Sequence, residues 1–121
     1  MTSALDHIAL AHRWVQIFVA NDEAAMRSVF ARDASHETWP RVEPAAPVIG
    51  ADAVAAWWKQ EREGLPPGLY FESVVTANAQ RVVVELHAVE RSTGRDHAWV
   101  VVFDPVGPQS EHVRSSRAYR C

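Results

Sequence analysis

Residues 82–103 read VVVELHAVERSTGRDHAWVVVF: two runs rich in β-branched and aromatic residues, separated by a turn at Ser92-Thr93-Gly94. An even loop over residues 91–94 pairs Ala88 with His97, Leu86 with Trp99, Val84 with Val101 and Val82 with Phe103, one continuous apolar face. The opposite face then carries Glu85 and His87 among Val83, Val89, Ala98 and Val100, a mixed surface suited to a dimer contact. A slip of one residue would exchange the two sets, so the inward assignment of His97 and the outward assignment of His87 rest on this turn.

Outward from the hairpin, residues 70–79 and 111–120 add flanking strands, with turns at Ala77-Asn78-Ala79-Gln80 and Pro105-Val106-Gly107-Pro108. The first half reads differently. Ser3 and Asp6 form a weak capping box before Leu5, Ile8, Trp14, Val15 and Phe18, predicting a helix over 4–19. Asn21 and Asp22 cap a second helix, carrying Ala25, Met26, Val29 and Phe30 and ending near Arg32. A short strand at 34–40 follows. After a Pro40, Pro44, Pro47 loop, a third helix opens at Gly50, bears Val54, Trp57 and Trp58, and stops at Gly64-Leu-Pro-Pro-Gly68. The order is helix, helix, strand, helix and four strands, an α+β domain spanning 1–121.

The chain has 121 residues, 48% hydrophobic and 22% charged, enough for one core. Its net charge of −3 gives no reason to expect nucleic-acid or membrane-surface partners. A lone cysteine, Cys121, precludes an intrachain disulfide or a thiolate zinc cage. With neither a signal peptide nor an apolar run of spanning length, the expected location is cytoplasmic.

This order resembles the cone-shaped NTF2-like superfamily, in particular its SnoaL-like and ketosteroid-isomerase-like branch. The resemblance is carried by Arg13-Trp-Val-Gln-Ile-Phe-Val-Ala-Asn-Asp22, Val29-Phe-Ala-Arg-Asp-Ala34, the loop over 40–50 and the closing strand over 113–119. It implies three helices on a curved antiparallel sheet enclosing a deep apolar pocket, often dimeric through the sheet. The family spans isomerases, polyketide cyclases, dehydratases, epoxide hydrolases and non-catalytic members, so function rests on the site.

In the steroid isomerases an oxyanion-binding tyrosine corresponds to Trp14 here, the general-base aspartate to Thr38 or Trp39, and the protonated acid to a position near Trp99. All three functional groups are missing, and an indole N–H donates but takes no proton. The Arg and paired-Asp pattern of the epoxide-hydrolase branch is not evident either, since Arg95-Asp96 sits in a turn.

On the last strand Val113, Ser115, Arg117 and Tyr119 share a face, which the resemblance places inside; His36 and Thr38 share one on the first strand. The expected pocket is Trp14, His36, Thr38 or Trp39, Trp58, His97, Trp99, Arg117 and Tyr119, aromatic with a few ionisable groups. His97 is the first candidate for proton transfer and His36 its partner, since imidazole titrates near neutrality. Arg117 and Tyr119, with the Trp14 and Trp99 indoles, would hold developing negative charge. Each has a plainer use: histidines satisfied in the core or rim, Arg117 paired with an acid such as Glu90, tryptophans as packing, and solvated His7, His12 and His112. His36-Glu37 lacks the second histidine of a zinc helix, and no phosphate loop is present, so neither metal nor cofactor is expected.

Two functions follow as expectations. One is a cofactor-independent acid-base enzyme (isomerase, cyclase or dehydratase) acting on an apolar oxygenated small molecule. The other is a non-catalytic ligand-binding or dimerisation module. A homodimer through the outer sheet face is expected in both.

Overall fold

The computed structural model describes residues 4–39, 47–106 and 112–120. Its elements are α1 (Ala4–Ala20), α2 (Glu23–Val29), β1 (Phe30–Trp39), β2 (Val48–Ile49), α3 (Ala51–Glu63), β3 (Leu69–Ala77), β4 (Val82–Glu90), β5 (Asp96–Val106) and β6 (His112–Arg120). The strands form one sheet in the order β2-β1-β6-β5-β4-β3, with the helices packed on it.

The hairpin β4–β5 has the expected register, from Val82 opposite Phe103 to Ala88 opposite His97. Its loop closes by Glu90 N–H to the Arg95 carbonyl at 2.9 Å, with Gly94 at φ 74, a conformation that disfavours a Cβ. Val82, Val84, Leu86, Ala88, Trp99, Val101 and Phe103 therefore all point inward and are buried.

Three expectations change. The sheet is mixed rather than wholly antiparallel, because β1 and β6 run parallel. β1 begins at Phe30 and not at 34, cutting α2 short at Val29; the exposed pair Arg32 and Asp33 interrupts the strand's alternation and masks it in the sequence. A two-residue strand, β2, pairs with Ser35 and His36 of β1. The loop around Pro40 and Pro44 and the turn at 107–111 lie outside the described residues.

Local chemistry sets the helix joints. α1 ends in paired bonds from Asn21 N–H to the Phe18 carbonyl and from Asp22 N–H to the Ile17 carbonyl, with Asn21 at φ 54, a left-handed position that asparagine tolerates. Asp22 then caps α2 by accepting from Ala25 N–H at 3.1 Å. Arg62 of α3 donates twice to the Val19 carbonyl near the end of α1, at 3.2 and 3.1 Å, and its guanidinium lies over Phe71.

Between helices and sheet the core is aromatic. Trp14 packs edge-on to Trp58 at 4.8 Å and to Phe103 at 5.0 Å, and stacks on Phe18 at 5.5 Å. Each of these side chains is almost wholly buried. Trp58→Ala should cost about 3–5 kcal/mol of unfolding free energy, measurable by urea titration. A loss under 1 kcal/mol would mean that the helices do not depend on this cluster.

Candidate functional site

The structure divides the expected pocket residues between two faces. Trp14, His36, Thr38, Trp58, His97 and Trp99 belong to the helix side of the sheet, where Thr38 lies beside Ala118 in register and His36 beside Ser116. Trp39, Arg117 and Tyr119 lie on the other side: Arg117 pairs with Val102 and Glu37, and Tyr119 with Val100 and Trp39. The reason is a bulge. Pro105 is opposite Val113 but Asp104 is opposite Ser115, so Arg114 is an extra residue that inverts the facing of everything after it. Val113 points inward as expected, and thereafter Ser116 and Ala118 take the inward positions.

On the outer face Trp39 and Tyr119 stack at 6.5 Å with rings 14° apart. Arg117 does not meet Glu90. Its charge acts on Asp104, whose burial would raise its carboxyl pKa; hydrogen bonds from Arg81 and Ser115 and the charges of Arg81 and Arg117 outweigh that and hold it below the usual carboxylate range. His87 is outward as expected and donates from Nδ1 to Asp96 Oδ2 at 2.8 Å.

The two candidate histidines do not converge. Ser116 is in register with both His36 and Phe103, and His97 stands six residues before Phe103 on β5. At about 3.3 Å per residue they sit about 20 Å apart along the strands, beyond any shared proton transfer.

His36 is buried. Its Nδ1 is 2.6 Å from Ser116 Oγ and its Nε2 3.2 Å from Thr38 Oγ1, while Trp57 covers the ring at 4.1 Å. Of the adjacent tryptophans, Trp58 goes into the core and Trp57 stays half-buried over this histidine. Burial lowers the His36 pKa to about 4, so the ring is neutral near pH 7, with one nitrogen donating and the other accepting. His7, expected in solvent, is also buried and donates from Nδ1 to the Asn78 carbonyl at 2.6 Å, tying α1 to the β3–β4 turn. The helical spacing of His7 with Leu10, Ala11 and Trp14 was the available signal.

His97 stands at the mouth of the cone. Its Nε2–H donates to Glu90 Oε2 at 3.0 Å, leaving Nδ1 as an acceptor in the neutral ring. Glu90, one of the acids that Arg117 could have met, is engaged by His97 instead. A recess of about 360 Å³ opens here, lined by Gly64 and Leu65 just past α3, by Glu61, and by Arg95 and the β5 start Asp96, His97, Ala98 and Trp99.

Deeper in, the Trp14 and Trp58 indole N–H groups have no hydrogen-bond acceptor. The crevice where α1, α2 and α3 meet, lined by Phe18, Met26 and Trp58 together with Asp22, Lys59 and Arg62, is only about 10 Å³, room for one water at most. The interior of the cone, where a deep pocket was expected, is occupied by these aromatic side chains. Among the described residues no three His, Cys, Asp or Glu side chains gather as metal ligands, and no helix is long and apolar enough to cross a membrane.

With this geometry in view, the chain matches the SnoaL-like domain family over residues 11–113 and belongs to it. Its fold is shared with a protein of unknown function and cystatin-like fold from Methylobium petroleophilum PM1 (TM-score 0.76, 18% identity, covering 99% of this chain and 78% of that one). It is likewise similar to a SnoaL-like protein of unknown function from Burkholderia thailandensis (TM-score 0.73, 20% identity, 97% and 95% covered). A ketosteroid isomerase candidate from Kribbella flavida also aligns (TM-score 0.74, 12% identity, 98% and 79% covered). No curated protein matches the chain significantly. At these identities the likeness shows an α+β NTF2-like cone and not a shared chemistry.

The buried imidazole makes stability depend on pH. The unfolded chain binds the His36 proton first, so this contribution is complete above the ordinary value of 6.5 and is lost as pH falls towards 4. Urea unfolding should lose about 3 kcal/mol across that window through this group, and His36→Gln should flatten the profile. An equal slope in the variant would assign the loss to other groups.

Proposed function

We propose that this SnoaL-like domain is a small-molecule-binding module whose ligand sits at the mouth of the cone, beside His97 and Trp99, and not in its interior. The observation that carries this reading is the aromatic filling of the cone by Trp14, Phe18, Trp58 and Phe103, together with the open recess at His97. Buried acid-base chemistry of the steroid-isomerase kind is disfavoured, since Trp14, Thr38 and Trp99 supply no proton-transfer group at its positions. The recess suits a compact oxygenated molecule with an apolar part for Leu65 and Trp99 and a hydrogen-bond donor for Nδ1 of His97.

A catalytic reading is favoured by the Glu90–His97 pair. A carboxylate accepting from one imidazole nitrogen orients the ring and supports the other as a general base. His97 would then act alone as the proton acceptor, without His36.

The domain would work in the cytoplasm without a cofactor, as a homodimer through the outer sheet face. There Val83, Val100 and Val102 are only partly covered, flanked by the Trp39–Tyr119 stack. Sedimentation of Val102→Lys should then show weaker self-association than the unmodified chain; self-association indifferent to this change would move the interface elsewhere.

An NMR titration with oxygenated aromatic fragments tests the site. Amide shifts should cluster at Gly64, Leu65, His97 and Ala98 and at the Trp99 indole, and His97→Ala should weaken binding about tenfold. Shifts at the Trp14 and Trp58 indoles would put the ligand inside the cone and overturn the mouth site. A β,γ-unsaturated steroid ketone should not be isomerised above background, as read by the absorbance of the conjugated product.

A further inference from the structure

We infer that the free edge of β3 is an interface on which a second copy of this chain pairs its own β3, antiparallel across a two-fold axis at Ser73. β3 ends the sheet at its long edge, and its nine residues Leu69–Ala77 pair only with β4. The hydrogen-bond phase of this strand follows from its two ends. Asn78 N–H donates to the Arg81 carbonyl and Arg91 N–H to the Gly68 carbonyl, in the same unbroken register that pairs Leu69 with Glu90 and Ala77 with Val82. Even-numbered residues therefore bond to β4, and Leu69, Phe71, Ser73, Val75 and Ala77 direct their N–H and C=O groups to the free edge.

Edges of this kind are ordinarily blunted by proline, lysine, a bulge or very short length. β3 has none of these: its sequence is LYFESVVTA, its register has no shift, and Val74 is 58% exposed. The sequence is also complementary to itself. A two-fold at Ser73 sets Phe71 opposite Val75 and Leu69 opposite Ala77, so apolar residues meet on the helix side and every outward-directed backbone group finds a partner. On the outer side it sets Glu72 opposite Val74 and Tyr70 opposite Thr76. A one-residue shift of the axis in either direction shortens the overlap, and a shift to Glu72 also sets two carboxylates directly opposite each other.

The ground beside the edge fits the same occupant. A groove of about 520 Å³ runs between β3 and α1, with Val15 and Val19 on its helical wall. The incoming strand's Phe71 and Val75 project on that side. A second copy is favoured over a foreign peptide because a strand of equal length meets every edge-facing backbone group of Leu69–Ala77 and sets Phe71 against Val75. Edge pairing leaves the outer sheet face open, so it is separable from a face-to-face dimer.

The test uses four substitutions in the full chain. Ser73→Cys, with Cys121→Ser to remove the native thiol, places two cysteines across the axis at about 5.5 Å between Cα atoms, within disulfide reach. Copper-phenanthroline oxidation should convert it to a covalent dimer. Ser73→Pro removes an edge-facing N–H while sparing the β3–β4 ladder, and should raise the dimer dissociation constant at least about tenfold by sedimentation equilibrium, including in a Val102→Lys background. Circular dichroism establishes that each variant is folded. The inference is overturned by a chain that stays monomeric at millimolar concentration, by a Ser73→Cys variant that associates without cross-linking, or by a folded Ser73→Pro variant that associates as tightly as the parent.

Discussion

The pairing of β4 with β5 is the constraint on which the rest of the molecule depends. A four-residue loop closed by Glu90 and Arg95, with Gly94 in the left-handed region, fixes which side chains of both strands face the helices. Every inward residue of that hairpin except its ends is apolar, and Phe103 provides the floor on which Trp14 rests. α1 and α3 then have one way to cover the sheet, with Trp14 and Trp58 meeting edge to face. A shift of one residue would bury Glu85 and His87 and expose Leu86 and Trp99, at a cost far above the margin by which a small domain is stable.

The same aromatic cluster shapes what the domain can do. Two indole N–H groups without acceptors are a cost accepted in exchange for apolar area, and they leave the interior with little room. Polar chemistry is displaced to the two ends of the cone. At one end His36 is held neutral between two hydroxyls under Trp57; at the other His97 is oriented by Glu90 beside open space. Only the second stands beside a recess in which to meet a ligand.

The helices, the hairpin and the inward set Val82, Val84, Leu86, Ala88, Trp99, Val101 and Phe103 were legible in the sequence because periodicity and one turn determine them. Three other features were hidden for distinct reasons. β1 was shortened because Arg32 and Asp33 break its alternation. The parallel β1–β6 pairing joins strands more than seventy residues apart, and local pattern contains no information about it. The facing of Arg117 and Tyr119 was inverted because Val113 predicts one phase and the bulge at Arg114 imposes the other. Of the candidate site, His97 and Trp99 could be placed from the hairpin alone, whereas the distance between His97 and His36 is a property of sheet order.

That extra residue in β6 also bears on descent within the family. Gain or loss of one residue at Arg114 would exchange the whole tip of β6 between the interior and the outer surface without altering any other codon. A relative without this residue, compared column by column through the strand, would have side chains of the opposite face equated with these. In this chain one insertion or deletion at that point decides whether Ser116 and Ala118 or Arg117 and Tyr119 face the helices.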